Sequence, residues 1–322
     1  MAKRLLSVTS RCIALLRQRQ RPFSDSRGQI LDGKAIASSI RKNLKKEISD
    51  LKSKTDSKFG PCLAVIQVGH REDSNVYVRN KLKAAAEIGM ETRSIKLPNA
   101  VGEAEVVDAI DELNRRNDVN GILLQLPLDV LQSVDTDYCI NRIHPQKDVD
   151  GLTAVNSGRL ARGEMGGTVI PCTPRGCLEL IERTGTDIAG SNAVVIGRSK
   201  IVGSPMRDLL QNRNATVTVC HSKTKDMQDM VRRADIIVVA ARQPQMVKGD
   251  WLKPGAIVID CGINDIKDAT KSKGYRLVGD VDYESCKPVA SWITPVPKGV
   301  GPMTIAMLLQ NTLECAKRQL AD

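Results

Sequence analysis

Long apolar runs, aromatic residues and paired cysteines are all scarce in this chain. The longest apolar stretch falls within residues 234–241, whereas a membrane-spanning helix needs about 20 apolar residues, so we predict no membrane span. Aromatic residues make up only 2% of the 322 positions, so the core has to be built from Val, Ile, Leu and Ala. Each of the few tyrosines therefore merits individual attention.

The nine cysteines contain no C-x-x-C pair, and the three histidines are far apart. An odd number of widely spaced cysteines does not indicate a disulfide framework. The histidines lack the spacing of zinc ligands. We therefore expect reduced, mostly buried thiols and no metal site built from these residues.

The formal net charge of +11 is concentrated at one end of the chain. Residues 1–23 contain six basic and no acidic residues, with Leu and Val recurring at helical spacing between the arginines. This composition is typical of a mitochondrial presequence, so we predict cleavage after Phe23 and a matrix location. A disordered basic tail is the alternative. The remaining charges mix signs and form no basic stripe with aromatics, which disfavours nucleic acid as a partner.

Two series of alternating helix and strand patterns follow. The first has helical periodicity at 35–53, 73–88 and 103–116, and strand patterns at 62–68, 92–97 and 121–125. Asp73 or Ser74 is expected to cap the second helix, and Gly89 to end it. Such alternation predicts a parallel sheet with crossover helices.

A stretch rich in Pro and Gly at 141–175 separates the two series and marks a domain junction. A connecting helix is predicted at 177–183. The second series has strand patterns at 193–196, 216–220, 235–241 and 256–260, and then a Pro/Gly loop at 294–304 that leads into a final helix. We therefore predict an α/β protein of two domains with parallel sheets.

The turn between the first strand and helix of the second series is bracketed by Gly197 and Gly203. Glycine lets the backbone approach a pyrophosphate, and the helix N-terminus stabilises its charge. Ser204 and Pro205 are expected to be the cap and the first residue of this helix. The G-x5-G spacing is unusual for a dinucleotide loop, and a tight turn without a ligand is the alternative.

Ser222 and Lys223 follow the next strand, where an acidic residue would bind the ribose hydroxyls of NAD. A hydroxyl and a cation favour a 2′-phosphate, and hence NADP. Arg198 can add a bidentate contact to the same phosphate. A solvated charged turn is the alternative.

Tyr77 and Lys81 lie four residues apart on a predicted helix and share one face. Burial would make Lys81 a usable proton-transfer group, whereas a pair on the surface is the alternative. Short-chain dehydrogenases also carry Y-x3-K, but there the glycine loop comes first. Here Tyr77 lies far upstream of Gly197, which counts against that family.

Polar residues also follow the strand at 121–125. Gln125 ends an apolar strand, and a buried amide there needs hydrogen-bond partners. Asp148 and Asp150 come next in a turn, where an Asp serves either the backbone of the turn or a site. Spacing alone does not decide between the two.

These segments together resemble the methylenetetrahydrofolate dehydrogenase/cyclohydrolase family. The matching runs are D-S-N-V-Y-V-R-N-K (73–81), G-I-L-L-Q-L-P-L (121–128), P-Q-K-D-V-D-G-L (145–152), P-C-T-P (171–174), G-R-S-K-I-V-G (197–203), D-C-G-I-N (260–264) and T-P-V-P-K-G-V-G-P-M-T (294–304). They occur in the family's order, and the resemblance covers essentially everything after residue 29.

The resemblance implies an enzyme that oxidises 5,10-methylenetetrahydrofolate with NAD(P) and hydrolyses the methenyl product to 10-formyltetrahydrofolate. It implies a folate-binding catalytic domain at 24–150 that is completed by a helix at about 303–322. A Rossmann-like NAD(P)-binding domain would occupy 151–302, with the active-site cleft between the domains. It also implies a homodimer.

The resemblance further implies the role of each candidate residue. Tyr77 would stack on the folate, Lys81 would be the key cyclohydrolase residue with help from Gln125, and Asp150 would bind the pterin. The folate would also be bordered by Leu124, Leu126, Pro297, Lys298, Gly299, Val300 and Gly301. The cofactor would be held by Gly197, Arg198, Ser199 and Ser222, with Lys223 added from its charge and Ile263 beside the nicotinamide.

Two points stay open. The family usually has glycine where this chain has Lys298, which adds strain if φ is positive there or else meets the glutamate tail of the folate. The 221–224 run resembles NADP-using members, whereas the presequence and the short chain resemble mitochondrial members, many of which use NAD with magnesium and phosphate. We favour NADP, and keep NAD with magnesium as the alternative.

Two other functional classes are alternatives to the enzyme. One is an inactive scaffold of the same fold, which the joint presence of Tyr77, Lys81, Gln125 and Asp150 argues against. The other is a basic RNA-binding protein, for which salt-sensitive retention of RNA would be the test.

Overall fold

The computed structural model describes residues 27–54, 60–271 and 274–321. The predicted presequence at 1–23 lies outside the described residues. Within those three ranges, no helix combines the length and the apolar character that crossing a membrane requires. The eight cysteines in the same ranges are free thiols, and all but Cys261 are buried.

Strands and helices alternate along most of the chain. The strands are β1 (Gln29–Ile30), β2 (Cys62–Val68), β3 (Glu91–Leu97), β4 (Gly121–Leu124), β5 (Asn192–Ile196), β6 (Thr216–Cys220), β7 (Ile236–Val239), β8 (Ile257–Asp260), β9 (Asn264–Lys267), β10 (Tyr275–Val278) and β11 (Trp292–Ile293). The helices are α1 (Gly33–Lys54), α2 (Glu72–Glu87), α3 (Glu103–Arg115), α4 (Thr136–Arg142), α5 (Ala154–Ala161), α6 (Cys172–Glu182), α7 (Gly203–Asn212), α8 (Met227–Val231), α9 (Tyr283–Cys286) and α10 (Val300–Ala321).

The first domain contains a parallel sheet of three strands in the order β3-β2-β4. The middle strand, β2, is buried along its whole length, as its continuous apolar run predicts. The helix α3 buries Val106, Ile110 and Leu113, which recur at helical spacing on one stripe. The alternating pattern of the sequence therefore predicts this sheet and its helices correctly.

The second domain contains a parallel sheet of six strands in the order β1-β11-β8-β7-β5-β6. β5 lies between β6 and β7, so the chain leaves β5 to one side and later returns to its other side. In α/β sheets a ligand-binding crevice forms at such a switch, outside the carboxyl ends of the two strands. The loops after β5 and β7 border this crevice.

The two domains are tied together at both ends of the chain. β1, near the start of the described residues, pairs with β11 at the edge of the second sheet. At the other end, α10 packs against both α1 and α6. Lys317 on α10 forms an ion pair with Glu47 on α1, and Arg175 on α6 binds Glu314 at 2.6 Å.

Several predicted helix boundaries are wrong. α2 begins at Glu72 after Arg71, without a side-chain cap; the Asp73 carboxylate instead binds the Arg71 guanidinium at 2.7 Å. α6 begins at Cys172, five residues before its predicted start, since proline is tolerated in a first helical turn.

The helix after the glycine loop also begins earlier than predicted. α7 starts at Gly203 after Val202, so Ser204 is not its cap. Instead, the Ser199 hydroxyl accepts hydrogen bonds from the N–H groups of Val202 and Gly203 at 3.2 and 3.4 Å. Ser199, which lies outside the helix, thus provides the hydrogen bonds that were expected from Ser204.

Candidate active site

Lys81 and Gln125 meet inside the first domain. Lys81 Nζ donates a hydrogen bond to Gln125 Oε1 at 2.9 Å, and the two residues are 7% and 9% exposed. The amide of Gln125 is oriented by a second bond, because its Nε2 donates to the Leu126 carbonyl at 2.7 Å. The backbone N–H of Gln125 donates to Ile66 O on β2. This pair is therefore a fixed polar group in an otherwise apolar region.

Tyr77 lies one turn before Lys81 on α2, and Lys81 Nζ is 5.9 Å from the centre of its ring. The expectation that both residues share one helix face is confirmed. Burial raises the pKa of the Tyr77 phenol, so the phenol keeps its proton at neutral pH. The tyrosine is still 36% exposed, which leaves part of the ring open to a ligand.

The structure separates the roles of the two aspartates in the 145–152 run. The Asp148 carboxylate accepts hydrogen bonds from the N–H groups of Gly151 and Thr153, both at 2.8 Å, and from Asn156 Nδ2 at 2.9 Å. Asp148 is 1% exposed and holds the turn together. Asp150 is thereby left as the carboxylate of this turn that is available to a ligand.

Asp150 lies near the lysine. Its burial raises its pKa, and the positive charge of Lys81 opposes that rise. Cys172 at the start of α6 is a neighbour that sequence reasoning missed: its thiol donates to the Val149 carbonyl at 3.3 Å. Burial, together with the charge of Asp150, holds the pKa of this thiol well above its ordinary value. The P-C-T-P run was the available signal.

A cleft of about 630 Å³ opens beside this group, lined by residues of both domains. Tyr77 lines it from the first domain and Ile263 from the second, and all five residues of the predicted 297–301 segment border it. Lys81, Gln125 and Asp150 are not among its lining residues; Lys81 adjoins it through Tyr77. The structure thus brings Tyr77, Ile263 and 297–301 together around one cavity.

The rim of this cleft is cationic. Its lining includes two carboxylates, Glu87 and Asp260, and four basic side chains: Lys34, Arg41, Lys83 and Lys298. Three of these were missed from the sequence. The sequence offered one weak signal: Lys34 and Arg41 lie two helical turns apart and so share a face of α1.

Lys298 adopts φ = +87°. Of the two alternatives that the sequence left open for this residue, backbone strain therefore applies. Its carbonyl accepts a hydrogen bond from the Lys34 N–H at 2.9 Å. Gly33 packs next to it so closely that a Cβ there would lie 1.9 Å from the Gly299 carbonyl oxygen. The start of α1 therefore fixes the 297–301 segment in place.

The crevice of the second sheet has the glycines that a pyrophosphate requires. Gly197 has φ = +119°, and a Cβ there would lie 2.3 Å from the Ala240 carbonyl oxygen. A Cβ on Gly203 would lie 2.2 Å from the Gly197 carbonyl oxygen. This tight cradle at the start of α7 fits a dinucleotide phosphate, with exposed Arg198 and Ser199 at its mouth.

The turn after β6 is closed by its own hydrogen bonds. The His221 N–H donates to Thr224 Oγ1 at 2.9 Å, and the Lys223 N–H donates to His221 Nδ1 at 3.2 Å. Ser222 and Lys223 are both exposed. The geometry therefore leaves their side chains turned out of the sheet and free to meet a phosphate.

Two buried carboxylates, Asp260 and Asp280, organise the second domain's side of the cleft. Neither was predicted from the sequence. Asp260 accepts hydrogen bonds from the N–H groups of Gly262, Asp280 and Val281 at 2.8–3.0 Å. Burial raises the pKa of Asp260 to about 7. By fixing the turn after β8, Asp260 leaves Ile263 52% exposed at the cleft.

In the three described ranges, no cluster of three or more His, Cys, Asp or Glu side chains has the arrangement of a metal site. The groups that the structure assembles are instead a buried Lys–Gln pair, an aromatic ring, an available carboxylate and a phosphate cradle.

Comparison with known proteins places both domains in one family. The domain described as "Tetrahydrofolate dehydrogenase/cyclohydrolase, catalytic domain" matches residues 31–150. The domain described as "Tetrahydrofolate dehydrogenase/cyclohydrolase, NAD(P)-binding domain" matches residues 171–320.

Relatives of known sequence agree with this result. The chain is 57% identical over 91% of its length to the human cytoplasmic C-1-tetrahydrofolate synthase, of which it spans only 31%. It is 49% identical to the bifunctional protein FolD 2 of Arabidopsis thaliana, covering 93% of this chain and 99% of that protein.

A solved structure shares the fold. The methylenetetrahydrofolate dehydrogenase-cyclohydrolase of Trypanosoma brucei, complexed with NADP and an inhibitor, superposes with a TM-score of 0.87 at 42% identity, covering 92% of this chain and 99% of that one. On the fold, the site and these relationships, the chain belongs to the tetrahydrofolate dehydrogenase/cyclohydrolase family.

Proposed function

We propose that this protein oxidises 5,10-methylenetetrahydrofolate to the methenyl cation with NAD(P) and hydrolyses that cation to 10-formyltetrahydrofolate. The observation that carries the proposal is the buried Lys81–Gln125 pair, 2.9 Å apart, beside a cleft that both domains line. Such a pair can move a proton, and the cleft can hold a folate next to the cofactor crevice.

The oxidation requires positioning rather than a base. The N10 or N5 lone pair of the folate expels the hydride from the methylene carbon, so the cation forms without loss of a proton. The nicotinamide supplies the acceptor for this hydride. Tyr77 and the 297–301 segment would fix the folate on one side, and Ile263 would lie on the cofactor side, which brings the reacting carbons together.

The hydrolysis requires proton transfer. Water adds to the methenyl carbon and loses a proton, which gives a neutral carbinolamine. The bond from this carbon to N5 then breaks as N5 gains a proton and the hydroxyl loses its own, so the formyl group stays on N10 and one proton is released overall. Lys81, held by Gln125, is placed to take the proton from water and to return one to N5. Asp150 would accept hydrogen bonds from the donor edge of the pterin and so fix the ring beside Lys81, with Leu124 and Leu126 flanking Gln125.

NADP is the proposed cofactor, because exposed Ser222 and Lys223 provide a hydroxyl and a cation for a 2′-phosphate. NAD with magnesium and phosphate is the alternative, in which Arg198 would hold a phosphate ion. The test is to follow methenyl and reduced-nicotinamide absorbance with residues 24–322, supplying either cofactor with and without magnesium and phosphate. Turnover with NADP alone supports the Ser222/Lys223 interpretation, and stimulation of NAD turnover by magnesium and phosphate contradicts it.

A matrix location and a homodimer complete the proposal. The location rests on the basic, acid-free composition of residues 1–23, and import of the full chain into isolated mitochondria with shortening near Phe23 would test it. The dimer rests on the family resemblance, and sedimentation of the purified protein would test it.

An inactive scaffold is the second candidate function. The same assay separates the two, because absence of turnover with either cofactor, despite folate binding, would favour the scaffold. The intact Lys81–Gln125 hydrogen bond and the glycine cradle favour the enzyme.

A further inference from the structure

The crevice at the switch point has two walls, and the second one also carries a cation. The loop after β5 forms one wall and bears Arg198. The loop after β7 forms the other: Ala240 N–H donates to the Ile196 carbonyl at 2.7 Å, and the Gly197 backbone packs on the Ala240 carbonyl. Arg242 lies two residues farther along this second wall, directly beyond the buried strand β7 (Ile236–Val239).

Arg242 is held in a conformation that an arginine rarely adopts, with φ = +56°. The buried Asp280 carboxylate stabilises this conformation by accepting hydrogen bonds from the N–H groups of Ala241, Arg242 and Gln243 at 2.6, 2.9 and 2.9 Å. Asn264 Nδ2 donates to the same carboxylate at 2.9 Å. Strain of this kind persists where the surroundings fix it, and it clusters at ligand sites.

The guanidinium of Arg242 is exposed, and no carboxylate within the described ranges forms an ion pair with it. Arg232, by contrast, binds Asp229 at 2.9 Å. An unpaired guanidinium on a fixed loop that borders a crevice built for phosphate is suited to bidentate binding of phosphate oxygens.

We infer that Arg242 binds the pyrophosphate of the dinucleotide from the wall opposite the 197–203 loop. This inference rests on the proposed use of NAD(P). The pyrophosphate is common to both cofactors, so Arg242 contributes to the binding of NAD and NADP alike. Ser222 and Lys223, at the end of β6, act only on the 2′-phosphate. The two sets of residues thus divide affinity from cofactor choice.

The test measures fragment binding by titration calorimetry on the full chain. ADP-ribose carries the pyrophosphate without a 2′-phosphate, and adenosine 2′-phosphate carries the 2′-phosphate without any 5′-phosphate. The variant Arg242→Gly keeps the positive φ at no steric cost. We expect it to weaken ADP-ribose, NAD and NADP binding each about tenfold, as for loss of a charged hydrogen-bonding partner, and to leave binding of adenosine 2′-phosphate unchanged.

Two further variants sharpen the result. Arg233→Ala removes an exposed arginine before β7, at the far end of the same strand, and should leave all four dissociation constants unchanged. Arg242→Lys keeps the charge without the planar fork and should weaken ADP-ribose less than Arg242→Gly does. It also provides the measurement if the glycine variant does not fold.

Three results would overturn the inference: unchanged ADP-ribose binding in the Arg242 variants, weakening limited to NADP and adenosine 2′-phosphate, or the same loss in Arg233→Ala. Failure of the proposed use of NAD(P) looks different, because wild-type protein would then bind neither ADP-ribose nor adenosine 2′-phosphate.

Discussion

Lys81 on α2 and Gln125 at the end of β4 form a buried hydrogen bond of 2.9 Å that joins a helix to the sheet. The lysine has its ammonium group between this amide and the ring of Tyr77. Truncation of either partner would leave the other buried without its main polar contact, which costs about 1–3 kcal/mol. The two residues therefore act as one unit in any mutational experiment.

Replacing Lys81 by Ala should reduce cyclohydrolase turnover by about 100-fold or more, the usual contribution of a positioned proton-transfer group. Oxidation of methylenetetrahydrofolate should persist, since hydride loss needs no base, and folate binding should partly survive. Separate assays of hydride transfer and of methenyl hydrolysis check this. Lys96→Ala, an exposed lysine on β3, is the control, and unimpaired hydrolysis in Lys81→Ala would refute the assignment.

Replacing Gly33 by Ala should raise the KM for the folate and destabilise the protein by about 1–3 kcal/mol, as overpacking does. The new methyl group would lie 1.9 Å from the Gly299 carbonyl oxygen and would push the 297–301 segment toward the cleft. Chemical denaturation and folate kinetics measure both effects. Gly158→Ala is the matched control, because its Cβ meets nothing within 4 Å and the change should stabilise α5 by about 0.5–1 kcal/mol.

Replacing Lys298 by Gly should increase the free energy of unfolding by about 1 kcal/mol, because glycine adopts φ = +87° without strain. The same change removes one of the four cations at the rim of the cleft. We therefore also expect the variant to raise the KM for folates with several glutamates more than it raises the KM for the monoglutamate. A variant that is no more stable than wild type would show that the strain is already offset. Equal changes in KM for the two kinds of folate would exclude a contact with the tail.

The stability of the protein should depend on pH through Asp260. Its pKa is about 7 in the folded protein, against 3.8 for an ordinary aspartate, so the folded state holds this proton more tightly than the unfolded state does. The stabilisation from Asp260 is complete below pH 3.8 and is lost as pH rises through 7. Between about pH 5.5 and 7, wild type should lose about 1.5 kcal/mol more than Asp260→Asn. Parallel urea titrations of the two proteins measure this difference, and identical pH profiles would refute the shift.

Much of the fold follows from the periodicity of the sequence. The buried strand β2 and the stripe of Val106, Ile110 and Leu113 on α3 are legible because each reflects one repeating pattern. Helix starts were less predictable. Asp73 and Ser204 have the chemistry of caps, but Arg71 and Val202 precede the helices, since the chain reaches helical geometry earlier than its side chains suggest.

The candidate site was predictable where its residues are unusual for their surroundings, as with Gln125 at the end of an apolar strand. Spacing alone did not predict it where two equivalent residues compete: the folded turn engages Asp148 in backbone hydrogen bonds and leaves Asp150 near Lys81. Asp280 and Arg242 escaped notice for another reason. Their relationship joins residues 38 positions apart, and no local pattern records such a contact.

The pairing of β1 with β11, together with the packing of α10 on α1, means that neither domain is a continuous piece of chain. A cut in the 151–170 segment would leave the second half without the edge strand β1 and would expose the face of α10 that packs on α1. Separate expression of the two halves should therefore yield fragments that aggregate alone and recover solubility when mixed. The two walls of the active site therefore belong to one cooperative unit. A simple separation of the domains cannot open the cleft, because it would also break the β1–β11 pairing and the packing of α10 on α1.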